Sequence, residues 1–290
     1  MKKFVSSLAV AALMAASANA GLNTVTYVDA SGGVANNAGN IPAGSVVGDH
    51  SGVGEVTLND VDGGDMWNGG DQFIYLHDNA QEAGDFTATV RVVSQTAAVD
   101  GRWGKAGIRA SATLDGGSAN AMAQIASGNG SQADQLGAGD HSPVPVRLAG
   151  RTQNDGNGGF ENPVIGAAGT TQRLDGDGNV ANDFLRADGA VATWLSLSYN
   201  SATNAFVAGS AADVGGAPGV WSYSDPVDSV PADGDGWYVG LAYSVHGDFD
   251  LPADGMHGVT FDNYSIVPEP SSLGLLVLGG LGLLGIRRRR

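Results

Sequence analysis

The feature that most constrains this chain is a period-two alternation of apolar and polar residues, recurring in short stretches bounded by Gly, Asp and Asn. In Asp85-Phe-Thr-Ala-Thr-Val-Arg-Val-Val-Ser94, the residues Phe86, Ala88, Val90 and Val92 fall on one face, with Thr87, Thr89 and Arg91 on the other. Successive strand side chains point to opposite faces, so such a stretch buries one side of a sheet. Thr193–Tyr199 repeats the pattern through Leu195, Leu197 and Tyr199. Further strands are expected at Thr24–Val28, Gln72–Leu76, Ala106–Ala112, Ala119–Ala126, Asn204–Gly209, Val220–Tyr223, Trp237–Ser244 and Val259–Val267. Amphipathic helical spacing is hard to find. Many short strands cut by turn residues predict an all-β chain, a β-sandwich or jelly roll. Residues 128–190, rich in Gly, Asn and Asp, are expected to hold long loops around a few strands.

The two ends carry different signals. Lys2 and Lys3 precede an apolar run from Phe4 to Ala16, and Ala18-Asn19-Ala20 supplies a small-x-small cleavage site before Gly21. These are the three parts of a secretory signal peptide. At the other end, Val267-Pro268-Glu269-Pro270 leads into an uncharged run from Ser271 to Ile286, closed by Arg287, Arg288, Arg289 and Arg290. As a helix that run spans about 24 Å at 1.5 Å per residue. A bilayer core is about 30 Å thick, so the span is short but crosses with some local thinning. The arginines set its orientation, with the basic end in the cytoplasm. Gly280-Leu-Gly282-Leu-Leu-Gly285 inside the run mimics a dinucleotide-binding fingerprint, but no strand precedes it and no βαβ unit follows.

With both ends set aside, residues 21–266 hold eight basic and 29 acidic residues, a net charge near −21. Such a body repels nucleic acid and anionic lipid, which excludes both as partners. There is no cysteine, so no disulfide supports the fold. A mature body of this length buries a core large enough to need none.

The tail resembles the PEP-CTERM sorting signal: Pro268, Glu269 and Pro270, small polar Ser271 and Ser272, the apolar run, and the basic Arg287–Arg290 stand in that family's order. The resemblance implies that an exosortase, a membrane transpeptidase-like enzyme, recognises and removes the tail after export. The expected organisation is a signal peptide at 1–20, an exported β-sandwich at 21–266 and a sorting signal with a transmembrane helix at 267–290. The protein is then anchored transiently in the inner membrane before it reaches the cell surface or an extracellular polysaccharide matrix.

A second set of motifs runs through the body: Asp65-Met-Trp67, Asp71-Gln-Phe73, Gly84–Val93, Trp103-Gly-Lys-Ala-Gly-Ile-Arg109, Leu114–Ala121, Tyr238-Val-Gly-Leu-Ala242 and Phe261-Asp-Asn-Tyr264. In this order they resemble the concanavalin-A-like jelly-roll modules of secreted bacterial proteins. That resemblance implies a mostly non-catalytic domain with a carbohydrate-binding role, and a structural calcium near the last strand, where Asp262 is the candidate ligand.

The search for chemistry points the same way. A glycosidase needs two carboxylates across a cleft, yet Glu55, Glu82 and Glu161 stand in separate contexts. Asp49-His-Ser51 and Asp140-His-Ser142 place their residues side by side in turns, whereas a catalytic triad converges from separate elements. Asp175–Asp183 begins like an EF-hand loop, but Val180 stands where the turn needs Gly and Arg186 where the bidentate acid belongs. Sugar rings stack on exposed aromatic faces. Trp67 and Trp221, close to turns, are the candidate platforms, and Trp103, Trp194 and Trp237, in or beside strands, are expected in the core. The expected function is an exported, non-catalytic structural or adhesive protein that binds glycan; the alternative is a secreted glycan-acting enzyme or its accessory module.

Overall fold

The computed structural model describes residues 22–28, 34–35, 44–50, 53–60, 66, 73–95, 105–126, 146–151, 159–163, 173–174, 180–181, 193–227, 236–244 and 257–268. In chain order the strands begin with β1 (Thr24–Val28), β2 (Val34–Ala35), β3 (Val46–Gly48), β4 (Val56–Asp60), β5 (Phe73–Glu82) and β6 (Phe86–Gln95). They continue with β7 (Lys105–Ser111), β8 (Asn120–Ala126), β9 (Val146–Arg151), β10 (Gly159–Pro163), β11 (Arg173–Leu174) and β12 (Val180–Ala181). The last are β13 (Thr193–Asn200), β14 (Ala205–Val214), β15 (Ala217–Pro218), β16 (Ser222–Tyr223), β17 (Trp237–Ser244) and β18 (His257–Pro268). The described residues contain no helix.

Two eight-stranded antiparallel sheets form the body. The first runs β10-β9-β8-β7-β17-β5-β1-β2; the second runs β15-β14-β13-β6-β18-β4-β3, with β16 paired to β14. Successive strands β4 to β7 alternate between the sheets, as do β17 and β18. That crossing pattern is a jelly-roll arrangement, so the expected all-β sandwich is the fold the chain adopts. The expected signal peptide and C-terminal helix lie outside the described residues. Strand β18 reaches Pro268, which pairs with Phe86, so the body's last strand runs into the Pro-Glu-Pro segment.

The alternation assigns the faces of β6 and β13 correctly. Phe86, Ala88, Val90 and Val92 join Leu195, Leu197 and Tyr199 in the core between the sheets. Trp237, fully buried on the first sheet, reaches across to the second: its ring lies 4.9 Å from Phe206 and 5.6 Å from Tyr199, edge to face. Pairs of this geometry contribute about 0.5–1.5 kcal/mol each beyond area burial. On the opposite, outward face of the second sheet, polar side chains pair across strands, Thr87 with Ser198 at 2.8 Å and Thr89 with Ser265 at 3.0 Å.

Eight strands match no stretch named in advance: β2, β3, β4 and β15, and also β9, β10, β11 and β12, which fall in 128–190 where a few strands were expected without being placed. In β9 the sequence Val146-Arg-Leu-Ala-Gly-Arg151 is buried at five of its six positions, so no polar side signals the alternation. Gly150 there has no room for a side chain, because a Cβ would stand 2.0 Å from the Asn120 carbonyl oxygen.

Candidate functional site

The first sheet has two buried faces where one was expected. Ile74, Leu76, Ile108, Ala121 and Leu148 point into the core between the sheets. Register places a different set on the other side: Phe73, Tyr75 and His77 of β5, Arg109 and Ser111 of β7, Asn120, Met122 and Gln124 of β8, and Tyr238 of β17. An outer face of this composition ordinarily meets water. Here Tyr75, His77, Arg109, Asn120, Gln124 and Arg151 are each no more than 3% exposed. Met66, Phe73, Tyr75, Met122 and Ala242 form a second apolar cluster on this side, with Leu114 and Tyr238 packed against it.

The polar groups are held by specific bonds. The Tyr75 hydroxyl lies 2.7 Å from the Tyr238 carbonyl oxygen and 3.0 Å from that of Arg109, so its one proton ties β5 to β17 and β7. Burial pushes the Tyr75 phenol far above its ordinary value, against a weaker pull from the Arg109 charge, and it stays a neutral donor. The His77 ring stacks on Tyr75 at 4.7 Å and meets Tyr238 edge-on at 5.7 Å. His77 Nδ1 is 2.7 Å from the Asp78 carbonyl oxygen, which only accepts, so Nδ1 carries the proton. Nε2 then accepts from the Thr26 hydroxyl at 2.9 Å. Burial moves the His77 pKa below its ordinary value, outweighing the raising effects of the Asp78 carbonyl and carboxylate, so the ring is neutral at pH 7. Gly240 faces this ring at a register shift in β17; a Cβ there would stand 2.6 Å from His77 Cα.

Beside this aromatic group lies a cationic one. Arg109 donates Nε–H to Ser111 Oγ at 2.8 Å and sets its guanidinium 4.4 Å above the Phe73 ring, a cation–π contact. Arg151 donates to the carbonyl oxygens of Gly116 at 3.1 Å and Met66 at 3.4 Å. Arg109, Asn120 and Gln124 line a small pocket with Met66, Met122, Ala149 and Gly150. Its volume of about 10 Å³ is at the threshold for one water molecule.

The residues expected to form a site are dispersed. Asp262, expected as a calcium ligand, gives both carboxylate oxygens to Arg91, with Oδ1 2.7 Å from Nε and Oδ2 bound to Nη2. The same guanidinium reaches Asp213 at 3.6 Å, and Asp213 accepts from Trp194 Nε1 at 2.8 Å. Among the described residues no group of three or more His, Cys, Asp or Glu side chains is placed to hold a metal. The Asp175–Asp183 run follows β11 and contains β12, with Leu174 paired to Val180, so strands stand where an EF-hand has helices. Asp49 caps its own turn by accepting from Gly54 N at 3.2 Å. Trp221 is half-buried at the margin of the second sheet, its ring stacked on that of Tyr223 at 6.3 Å and 21°, and Tyr223 is 54% exposed. Trp67, Trp103, the expected cleavage residues Ala18, Ala20 and Gly21, and the tail from Glu269 to Arg290 lie outside the described residues. Trp237 lies in the core, as expected, whereas Trp194 is buried on the outer face of the second sheet beside Arg91 and Asp213.

The aromatic and cationic residues of the first sheet were not singled out as a site in advance, although Phe73, Lys105, Arg109 and Tyr238 fall in the quoted motifs. One signal was present: basic residues are so rare between Gly21 and Ile266 that two alternating on β9 and two on β7 mark those strands.

Residues 267–290 match the family model of the PEP-CTERM protein-sorting motif. No curated protein matches the chain. Among solved structures it is similar to a xylan beta-1,4-xylosidase from Bacillus halodurans C-125 (9% identity, TM-score 0.41, 73% of this chain). This chain spans only about a third of that enzyme, 32% of its length. It is also similar to a legume lectin-like domain from Entamoeba histolytica (8% identity, TM-score 0.44, 85% of this chain and 91% of that one). A third is the Ca2+-bound exoplasmic/lumenal domain of VIP36 (10% identity, TM-score 0.42, 85% and 91%). At these identities and scores the likenesses assign no activity. The chain carries a PEP-CTERM protein-sorting motif at residues 267–290, behind an all-β sandwich of two antiparallel sheets.

Proposed function

We propose that this protein is exported, processed by an exosortase at its C-terminal motif, and acts at the cell surface or in an extracellular polysaccharide matrix as a non-catalytic glycan-binding sandwich. In this reading residues 1–20 leave as a signal peptide, 21–266 form the working body, and 267–290 direct sorting and are then removed. The PEP-CTERM match supports the export and the processing. The observation that supports glycan binding is the aromatic pair at the margin of the second sheet, where the Trp221 ring stacks on that of Tyr223 at 6.3 Å and Tyr223 is 54% exposed. Sugars are held by aromatic rings against their C–H faces and by planar amide or guanidinium groups at their hydroxyls.

The titratable groups buried on the outer face of the first sheet favour a binding role over catalysis. Both His77 nitrogens are engaged, and burial keeps Tyr75 protonated. Neither is poised as a general base. The test is a glycan screen of the full-length chain in mild detergent, with and without calcium. Binding to at least one polysaccharide family is expected, and binding to none sinks the reading. For sorting, deleting 267–290 should abolish processing and surface retention; a truncated protein retained as before would show that the tail is not the determinant.

A further inference from the structure

The sorting motif and the folded body share residues. The matched motif begins at Val267, and β18 does not end until Pro268. Val267 pairs with Thr87, and Pro268 with Phe86 at the start of β6. Just upstream, Tyr264 and Ile266 are 4% and 2% exposed and lie in the core between the sheets. From Ser265 onward β6 is the only described strand paired with β18, because β4 accompanies it only from His257 to Phe261. That leaves the approach to the motif open from one edge. Pro268 and Pro270 have no N–H to offer a ladder, so pairing ends here.

Between Pro268 and Leu273, the first leucine of the apolar run, stand only Glu269, Pro270, Ser271 and Ser272. Five residue steps reach at most about 18 Å. Headgroups occupy about 5–8 Å on each side of a bilayer's apolar core, so with the tail inserted β18 ends within about 10–13 Å of the headgroup surface. That gap is about one helix diameter. The rim of the body beside Pro268 is Ala83-Gly-Asp85 and the hairpin Ser201–Asn204, joined where Asp85 accepts from the Ser201 amide at 2.8 Å and from its hydroxyl. These rim residues include no basic side chain and no large apolar one, so they neither grip anionic headgroups nor insert between them.

We propose that the processing enzyme acts on the folded sandwich, in the window Glu269–Ser272 between sheet and bilayer, and that the mature protein keeps Val267 and Pro268 as the last pairs of β18. This rests on the exosortase reading above and moves its boundary: the part removed begins after Pro268. Upstream of Pro268 each peptide bond belongs to a strand paired with β6, and freeing it pulls Ile266 from the core. Val267–Pro268 and Glu269–Pro270 are also imide bonds, whose nitrogen has no proton for an enzyme to hold. The bonds after Pro268, Pro270, Ser271 and Ser272 remain. In the cut, the enzyme's nucleophile attacks the carbonyl carbon, the C–N bond breaks, and the amine takes the nucleophile's proton and leaves with the tail. Water or an amine then takes the acyl group and returns a proton to the nucleophile.

The experiment is expression of the full-length chain in a cell that carries an exosortase, with pulse–chase of tail removal and mass spectrometry of the mature C-terminus, free or carrying an attached group. The expected last residue is Pro268, Pro270, Ser271 or Ser272. A terminus at Val267 or earlier overturns the inference and leaves the processing reading standing; a tail that is never removed overturns both. Deleting Ser271 and Ser272 lies outside the body, shortens the tether by about 7 Å and should slow removal about tenfold or more. Adding Gly-Gly between Pro268 and Glu269 of that deletion should return removal to the parent rate. A deletion without effect, or an insertion that fails to restore the rate, overturns the window. Precursor first accumulated without the enzyme should resist added protease across the body and still be cut at the parent rate once the enzyme is supplied. A folded precursor that the enzyme leaves uncut shows that processing precedes folding, and overturns the inference.

Discussion

Asp262 is the residue at which sequence expectation and tertiary structure are most sharply distinguished, and its replacement tests the structure directly. It sits on β18, an inner strand, and bonds Arg91 of β6 through both oxygens, with Nε 2.7 Å away. The Arg91 side chain is 21% exposed and that of Asp262 8%. Removing one partner of a buried ion pair costs about 3–5 kcal/mol, because the remaining charge is left without compensation. The partial exposure of Arg91, and Asp213 at 3.6 Å as a second partner, place Asp262→Ala at the low end, about 3 kcal/mol. For a domain of 150–250 residues each kcal/mol moves the melting temperature by about 2–4 °C, so a drop of about 6–12 °C is expected. The double replacement Arg91→Met with Asp262→Leu should recover most of it, since two apolar groups leave no stranded charge. Differential scanning calorimetry in calcium and in chelator is the assay, and the drop should be the same in both. A melting temperature unchanged by Asp262→Ala would refute the reasoning. A drop confined to the calcium-loaded protein would refute it too, and return Asp262 to the role of a calcium ligand.

Three further outcomes follow from the first sheet and the margin of the second. His77 has a folded pKa below its ordinary 6.5, so the unfolded chain binds its proton first. The stability tied to the neutral ring is complete above pH 6.5 and is lost as pH falls from there through the folded value, at up to about 1.4 kcal/mol per pH unit. His77→Gln should flatten urea-unfolding stability between pH 6.5 and 5 relative to the parent; identical slopes would show that this ring does not control the region. Gly240→Ala should cost about 1–3 kcal/mol and alter the near-ultraviolet dichroism of the adjacent tyrosines, because its Cβ would meet the Leu76 carbonyl oxygen at 2.2 Å and backbone cannot yield. Trp221→Ala should weaken glycan binding about fivefold or more while moving the melting temperature by no more than about 2 °C; the reverse pattern would make Trp221 a packing residue.

By itself the sequence determined where most strands form and which side of each is apolar. Trp237–Ser244 is reproduced residue for residue, and the alternation in β6 sorts Phe86, Val90 and Val92 from Thr89 and Arg91 as the core does. These are properties of neighbouring residues, because a strand's pleat is set within two residues. The tail was equally legible, since its order of Pro-Glu-Pro, apolar run and arginines is itself the signal. β9 escaped because burial on both faces erases the period-two contrast, and β10 lies in the same Gly-rich stretch. The partners of the polar faces were beyond any local reading. Asp262 finds Arg91 across 171 residues, and the Tyr75 hydroxyl reaches the Tyr238 carbonyl across 163. Alternation says that Arg109 and Gln124 point away from the core; only the pairing of β7, β8 and β9 puts them in one pocket, and only tertiary packing buries it. Register is a non-local property, fixed by the whole sheet at once, and the candidate site is made of register.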